Sequence, residues 1–406
     1  MSEKEFWKMM WKRGRVARRR NTGPWVFWVG LTVLLLFLFL TAGPVWARSG
    51  DGQEGLPGLE DFDLSGINRF LDGEEAGAGL TIETVMALLA DGNLAGLCRE
   101  TAQSLKKTLF SEISRSGGFL GQVLVLGCMG AVFTNFSTVF SGSEISETGF
   151  FITYLLMFTF LMTAMMESMS LAGEVVESVL EFTRLLMPSY FMAVAFAGGS
   201  VSAVVMYEFT LWIMAAGQWL LCSVILPVIR IHVLLGMAGN LVKEEFLSRL
   251  TELLGQAASW GLKTVPGLVL GFHLIQNLIL PYVDSLKQGA VQKAVSMIPG
   301  VGQGAEAVTR LLMGSGVLIK NTMGMAALVI LMILISVPVI KLLILTVMYQ
   351  CVSAIMEPVC DKRLVSCVSM AARGQKMMVQ TVACAALILV ITVAVVCAGT
   401  NVTYYA

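Results

Sequence analysis

The chain has 406 residues, 56% of them hydrophobic and 14% charged, and its mean hydropathy is +0.76. Soluble domains are about 45–50% apolar and about 25% charged, so this composition excludes an ordinary soluble protein. The formal net charge is zero, but residues 1–20 hold eight Lys/Arg against two Glu, which leaves 20 basic and 26 acidic residues elsewhere. Because only this short leader is basic, nucleic-acid binding by a basic face is not supported.

The apolar residues fall into blocks of roughly 20, the length that crosses the hydrocarbon core as a helix. The sequence therefore predicts an all-α polytopic membrane protein with about seven transmembrane helices after the leader. Seven of the eight cysteines lie in or beside these blocks, which favours small packing residues over disulfides.

No enzyme, metal or cofactor site is predicted. The chain has two histidines, no H-E-x-x-H motif and no phosphate-binding G-x-x-x-x-G-K-[ST] motif. The remaining catalytic interpretation, an intramembrane serine protease using Ser200 and His273, has a poor flanking pattern, since Ser and Gly in membrane helices usually serve packing.

Residues 1–47 have the layout of a secretory signal peptide. A basic stretch precedes an apolar run over residues 25–40, and Ala47 is a small residue at the expected cleavage site. An uncleaved anchor helix over residues 25–46 is the alternative. Either way, residues 48–118 are expected outside the cytoplasm.

Two different segments are predicted between the leader and the membrane domain. Residues 48–80 are rich in Gly, Asp and Glu, which is typical of a flexible acidic linker. Residues 81–118 are predicted to form amphipathic helices, a short one over 82–90 and a longer one whose apolar residues recur every three or four positions: Leu94, Cys98, Ala102, Leu105, Leu109 and Ile113. Such a stripe would fold back on the membrane part, lie in the membrane interface or bind a second protein.

The membrane domain is predicted over residues 119–406. Its first two spans are predicted at 119–140 and 150–166, followed by an acidic interfacial helix over 169–184 and a helical hairpin over 185–227 with Glu208 near its tip. Further spans are predicted at 260–281, 323–349 and 377–397, with a surface segment over 230–254, a surface loop or short helix over 351–376 and a proline kink at Pro338. Gly267 and Gly271 are predicted to form a G-x-x-x-G helix contact.

The main functional prediction concerns residues 298–321, which read IPGVGQGAEAVTRLLMGSGVLIKN between apolar blocks. Glycine and proline favour a backbone that leaves helical geometry, and at membrane depth such a backbone must be buried in protein or line water. We therefore predict a re-entrant conduit segment built from Pro299, Gly300, Gly302, Gly304, Glu306, Arg310, Gly314, Gly316 and Lys320. Close helix packing is the alternative use of these glycines.

Two further polar residues are predicted within or near the membrane. Glu208 would be costly, and hence functional, if it were buried at membrane depth. Lys341 either reaches a membrane surface with its long side chain or faces a pore or a partner.

Five stretches resemble the stage III sporulation protein AE family of endospore-forming bacteria. They are GCMGAVFTNFSTVF at 127–140, LMPSYFMAVAFAGGS at 186–200, KEEFLSRLTELL at 243–254, the whole of 298–321, and EPVCDKR at 357–363. The resemblance covers residues 117–401 and the exported leader.

The resemblance implies a non-enzymatic, channel- or permease-like subunit of the complex that connects mother cell and forespore, located in the mother-cell membrane. Implied partners are the other proteins encoded with it, among them a secretion-type ATPase and ring-forming proteins, with stage II sporulation protein Q reached indirectly. A homo-oligomer is compatible with this role. The alternatives are an assembly platform without a conduit of its own and a stand-alone secondary transporter, although no inverted repeat is visible.

Overall fold

The computed structural model describes residues 63–74, 80–90, 94–139, 143–197, 200–239, 247–296 and 302–401. Within these ranges the regular structure is helical throughout, and strands are absent from this described part. The predicted signal peptide over 1–47 lies outside the described residues. Side chains are described over 63–74, 80–89, 106, 110–133, 147–197, 206–239, 247–276 and 315–397.

We number the described α-helices in chain order, and a short π-helix, Leu221–Ile225, joins two of them. They are α1 (Ser65–Gly73), α2 (Ile82–Ala90), α3 (Leu94–Val139), α4 (Ser143–Phe196), α5 (Ser200–Leu220), α6 (Leu226–Gly239), α7 (Ser248–Ser296), α8 (Gly302–Met356) and α9 (Lys362–Asn401). The π-helix precedes Pro227, whose missing N–H removes a regular helix hydrogen bond.

Several helices are longer than a membrane requires. Helix α4 has 54 residues, which makes it about 80 Å long against a hydrocarbon core of about 30 Å. The separate interfacial helix predicted over 169–184 is therefore wrong, since this segment is the middle of α4. Likewise the amphipathic helix predicted from Leu94 and the first span form one helix of 46 residues, α3. Proline, which would end a helix, occurs neither at residues 166–169 of α4 nor at residues 113–119 of α3.

Five helical segments are long and apolar enough to cross a membrane. They are Phe110–Phe133, Glu147–Phe196, Met206–Gly239, Ser315–Met356 and Lys362–Cys397. The chain is thus a polytopic helical membrane protein, as predicted, but the predicted number of about seven spans is not confirmed. The span predicted at 260–281 lies in α7, which is not among the five, and its side chains are described only up to Gln276.

The long helices form one bundle around a shared apolar core. Helices α8 and α9 form a hairpin through residues 357–361, pack closely together and contact α4. Helix α3 packs beside α4 and α8, while α5, α6 and α7 cover α9. The segment predicted over 351–376 as a surface loop or short helix instead comprises the end of α8, this five-residue connection and the start of α9.

Close contacts fix the register of α4 against α8 and α9. Gly374 of α9 packs on Met165 of α4, because a Cβ built on it would lie 2.5 Å from Met165 Cε. Towards the other end of α4, the Tyr190 hydroxyl lies 2.9 Å from the Cys397 sulfur, and both residues border Gly324 of α8. Residues 165–190 of α4 therefore run beside residues 374–397 of α9.

The hairpin predicted over 185–227 exists, but its tip lies elsewhere. Helix α4 ends at Phe196 and α5 begins at Ser200, so the predicted tip at Glu208 is wrong. Glu208 instead occupies the third turn of α5. Gly198 and Gly199 lie outside the described residues.

Part of the predicted acidic linker is helical. Residues 65–73 form α1, whose Ile67 and Leu71 are buried, and α1 packs on α4 while α2 packs on α8. Before α1, the Asp63 carboxylate accepts hydrogen bonds from the Ser65 hydroxyl (2.6 Å) and the Ser65 N–H (3.1 Å). These bonds lower the pKa of Asp63. The flexible linker predicted over 48–80 is thus wrong for 65–73.

Candidate functional site

The glycine-rich segment predicted to break the membrane helix is helical wherever it is described. Pro299 and Gly300 lie outside the described residues, and from Gly302 onward α8 continues to Met356. Each interior glycine costs only about 1 kcal/mol relative to alanine, and the Ala, Leu, Met, Glu and Arg residues between the glycines favour a helix. The predicted break is therefore absent from the described part of the segment. The side chains of Glu306 and Arg310 lie outside the description, and Gly302, Gly304 and Gly314 are known only as helical backbone.

Gly316 makes the closest backbone contact of this segment. A Cβ built on it would lie 2.7 Å from both the Ala197 nitrogen and the Phe196 carbonyl carbon. No side chain fits there, because the obstructing atoms belong to the backbone at the end of α4. At Gly316 the glycine serves close helix packing, which was the alternative to the conduit prediction.

Lys320 lies one turn beyond Gly316 and is fully buried. Cys397 of α9 lies near the Lys320 amine, and its sulfur lies 2.9 Å from the hydroxyl of the buried Tyr190 on α4. Three helices thus meet at one amine. A charged group at membrane depth is costly unless other polar groups surround it, and such residues are usually functional.

A second buried polar cluster lies where α7 meets α9 and α5. His273 Nε2 lies 3.0 Å from the Thr392 hydroxyl, and His273 Nδ1 lies 3.3 Å from Gln276 Oε1. The Thr392 hydroxyl donates to the Ile388 carbonyl oxygen at 2.9 Å and lies 3.2 Å from the Met214 sulfur. Both ring nitrogens of His273 are engaged, so this cluster ties three helices together. The sequence signal was polar residues within apolar runs, which spacing alone does not pair.

The other predicted residues are dispersed. Glu208 is exposed on α5, and Lys341 is half-buried in α8. A Cβ built on Gly267 or Gly271 meets no atom within 4 Å among the described residues, so the helix contact predicted for them stays a prediction. The structure therefore brings together Gly316 and Lys320 alone among the described residues of the prediction.

The middle of α4 carries an acidic face that the sequence pattern revealed but assigned to a separate helix. We define it as Glu167, Glu174, Glu177 and Glu181, all exposed and spaced seven, three and four residues apart, which places them on one side of the helix. The other sides of α4 are buried and apolar, at Val175, Val176, Val179 and Phe182. Ser170 donates a hydrogen bond of 2.9 Å to Glu174.

The acidic face lies at the level of two strongly apolar segments. The contacts of Met165 with Gly374 and of Tyr190 with Cys397 bracket it, so it runs beside the apolar run at 377–397 of α9. Gly324 borders Tyr190 and Cys397, and Tyr349 packs edge-on to Phe119 at 6.3 Å, a ring that also stacks on Phe160 of α4. The run from 324 to 349 of α8 therefore lies at the same level. A charge facing lipid at the centre of a membrane helix costs about 2.5–3.5 kcal/mol or more, so lipid is a poor neighbour for this face.

On the α5 and α7 side of the bundle, the exposed surface at this level is different. Thr392 of α9 contacts Met214 of α5, so this part of α5 lies at the level of the apolar run of α9. On this side of the bundle Trp212 is 69% exposed and Leu268 is 64% exposed. Such apolar and aromatic side chains suit lipid and its interface. The bundle therefore has one outer side that suits lipid and one that suits water.

The arrangement provides exposed carboxylates along one side of α4. Among the described residues, no three of His, Cys, Asp and Glu converge as metal ligands. The four carboxylates of the acidic face can attract cations and hold water along one wall. The acidic face is therefore a polar surface on a membrane protein.

Comparison with known proteins agrees with the resemblance noted above. A family model described as Stage III sporulation protein AE matches residues 80–400. The Stage III sporulation protein AE of Bacillus subtilis (strain 168) is 22% identical over 306 residues, which is 75% of this chain and 77% of that protein. No solved structure matches the chain. The chain belongs to the stage III sporulation protein AE family, and the predicted family is confirmed.

Proposed function

We propose that this member of the stage III sporulation protein AE family is a channel- or permease-like subunit of the complex that connects mother cell and forespore. Membership of the family gives the role in sporulation, and the proposal adds a conduit. The protein performs no chemical reaction in this role. It resides in the mother-cell membrane, and the chain that follows the leader begins outside the cytoplasm.

The acidic face of α4 is the observation that carries the proposal. Its four carboxylates are exposed at the level of the apolar runs of α8 and α9, where lipid would be a costly neighbour. Water, enclosed by further protein, is the neighbour that suits exposed carboxylates. A line of acidic residues along a water-filled path is a usual wall for a conduit that passes cations or hydrated polar solutes.

The assembly provides the rest of the wall. The acidic face lies on the outside of this single bundle, so other subunits must shield it from lipid. The proposed partners are the proteins encoded with this one, including a secretion-type ATPase and ring-forming proteins, and stage II sporulation protein Q is reached through them. Further copies of this chain are equally able to complete such a wall.

Neutralising the acidic face tests the conduit. In the variant Glu174→Gln/Glu181→Gln, shape is kept while two charges of the wall are lost. The matched control is Glu252→Gln/Glu357→Gln, which neutralises two exposed glutamates away from α4. We expect normal protein level and normal co-purification with partners in both variants, and at least a tenfold loss of spores in the first alone.

Each other outcome counts against the proposal in a different way. Normal spore numbers with normal protein level contradict a conduit at α4. Loss of co-purification together with loss of spores supports the assembly platform instead. Transport by the purified chain in liposomes, without partners, supports a stand-alone secondary transporter.

A further inference from the structure

Helices α1 and α2 form a small unit that lies on the bundle beside the acidic face. We call it the strap and define it as residues 63–74 and 80–90. The Ser178 hydroxyl of α4 donates to Glu74 Oε1 at 2.9 Å, and the Ser189 hydroxyl donates to the Asp63 carbonyl oxygen at 3.0 Å. Between these bonds, the rings of Phe70 and Phe182 lie 6.1 Å apart. Helix α1 therefore runs antiparallel to α4 along residues 178–189.

The strap is too short to cross a membrane. Each of its helices has nine residues, about 13 to 14 Å at 1.5 Å per residue, against about 30 Å of hydrocarbon. Helix α1, which lies along residues 178–189 of α4, therefore ends at the level of the apolar runs of α8 and α9, and helix ends there must be covered by protein or water. Arg69 and Asp72 are also exposed on α1. Independently of the acidic face, these charges and helix ends make lipid a poor neighbour for this side of the bundle.

The two strap helices are tied to each other through Asn68. Its side-chain amide donates to both carboxylate oxygens of Glu83, at 3.0 and 2.9 Å, and its carbonyl oxygen accepts the Ile82 N–H at 3.0 Å. The side facing the bundle is apolar in both helices, with Leu64, Ile67, Leu71, Ile82, Val85 and Met86 buried. These hydrogen bonds of Asn68, which we call the Asn68 clip, thus join two helices whose side facing the bundle is apolar.

The contact at Glu74 places a fifth carboxylate next to the acidic face. Ser178, whose hydroxyl donates to Glu74, follows Glu177 directly and precedes Glu181 by three residues. Because like charges repel each other at short range, this hydrogen bond is what holds Glu74 at the face, and release of the strap would begin with its loss.

We infer that the strap covers the surface of α4 beside the acidic face and lifts from α4 when the conduit opens. The inference rests on the proposed function and names the device that regulates the same wall. In the closed position the strap covers Leu185, since a Cβ built on Gly66 would lie 3.4 Å from Leu185 Cδ2. Glu181, on the exposed side of α4, stays open to water in both positions.

The first test compares the reactivity of two engineered cysteines. Leu185→Cys reports the covered surface and Glu181→Cys the open one, each in the full-length chain with the exposed Cys128 and Cys351 replaced by serine. The probe is a charged, membrane-impermeant methanethiosulfonate applied to native membranes. We expect Asn68→Ala to raise the reaction rate at Leu185→Cys at least tenfold and to change the rate at Glu181→Cys less than twofold.

Matched variants keep the test decisive. Asp72→Ala alters an exposed residue of the same helix outside the Asn68 clip and should leave both rates unchanged. Ser178→Ala removes the hold on Glu74 without touching the clip, and it replaces Asn68→Ala if that variant is poorly produced; we expect a two- to fivefold rise at Leu185→Cys. If the reaction rate at Leu185→Cys is unchanged in both Asn68→Ala and Ser178→Ala, the inference that the strap covers this surface is wrong.

The second test asks whether the strap moves in use. The rate at Leu185→Cys is compared between growing cells that express the chain alone and sporulating cells after engulfment. We expect at least a fivefold faster reaction in the sporulating cells, and equal rates overturn the opening step. Failure of the proposed function looks different, because Glu181→Cys itself would then be unreactive in every background.

Discussion

Gly316 of α8 packs directly against the backbone of Ala197, where the chain leaves α4: a Cβ at position 316 would lie 2.7 Å from the Ala197 nitrogen. Because the obstructing atoms are backbone, a rotamer change cannot relieve the contact. The end of α4 and the first described side chains of α8 are thereby held at a fixed separation. The buried amine of Lys320 lies one turn further along α8.

Enlarging Gly316 should therefore destabilise the protein. We expect Gly316→Ala to cost about 1–3 kcal/mol, as overpacking does, and Gly316→Leu to abolish accumulation of the protein. The measurement is the thermal midpoint of the purified protein in detergent, together with protein level in cells. Gly271→Ala is the matched control, because a Cβ there meets no atom within 4 Å, and it should keep or raise the midpoint. Equal midpoints for the two alanine variants would contradict the close contact.

Removal of the buried charge at position 320 should separate function from stability. Methionine has a volume similar to lysine, and replacing a buried ion by an apolar side chain is often neutral or stabilising. We expect Lys320→Met to keep the protein level and the thermal midpoint while spore formation falls at least tenfold. Lys341→Met, at a half-buried site on the same helix, should have a smaller effect. Normal spore numbers with Lys320→Met would assign Lys320 a packing role only.

The identity of the neighbours of Lys320 shows where sequence reasoning ends. Its unusual position in an apolar run was visible from the sequence, but Tyr190 and Cys397 are 130 and 77 positions away from it and give no periodic signal. The same holds for the Asn68 clip, which joins residues 14 and 15 positions apart across the connection between two short helices.

The periodicity of the sequence predicted which side of a helix is polar better than it predicted where each helix begins and ends. The acidic spacing of Glu174, Glu177 and Glu181 was recognised, but it was assigned to a separate helix because the apolar blocks on either side are each long enough to span a membrane. Spacing shows which side of a helix is polar and does not show what lies next to it. The tendency of glycine to break a helix was overestimated. Gly302, Gly304 and Gly314 were predicted to interrupt a helix, but α8 continues through them.

Charge reversal on the acidic face should be more harmful than charge removal. If the carboxylates attract cations or orient water along a path, Glu174→Lys/Glu181→Lys replaces two attractive charges by two repulsive ones. We expect spore formation to fall further than in the glutamine variant, by about another factor of ten, and protein level to stay unchanged because both positions are exposed. Equal effects of lysine and glutamine would indicate that the face serves a hydrogen-bonded contact rather than an electrostatic one.

The His273 cluster should stabilise the bundle through its hydroxyl. In Thr392→Val the shape of the side chain is kept, but His273 Nε2 loses the partner that lies 3.0 Å away in a buried site. Leaving a buried polar group without its partner costs about 1–3 kcal/mol, so the thermal midpoint in detergent should fall. Thr392→Ser keeps the hydroxyl and should recover most of the loss, because its cost is limited to one missing methyl group. A serine variant as unstable as the valine variant would show that Thr392 contributes through packing against Met214 and not through His273.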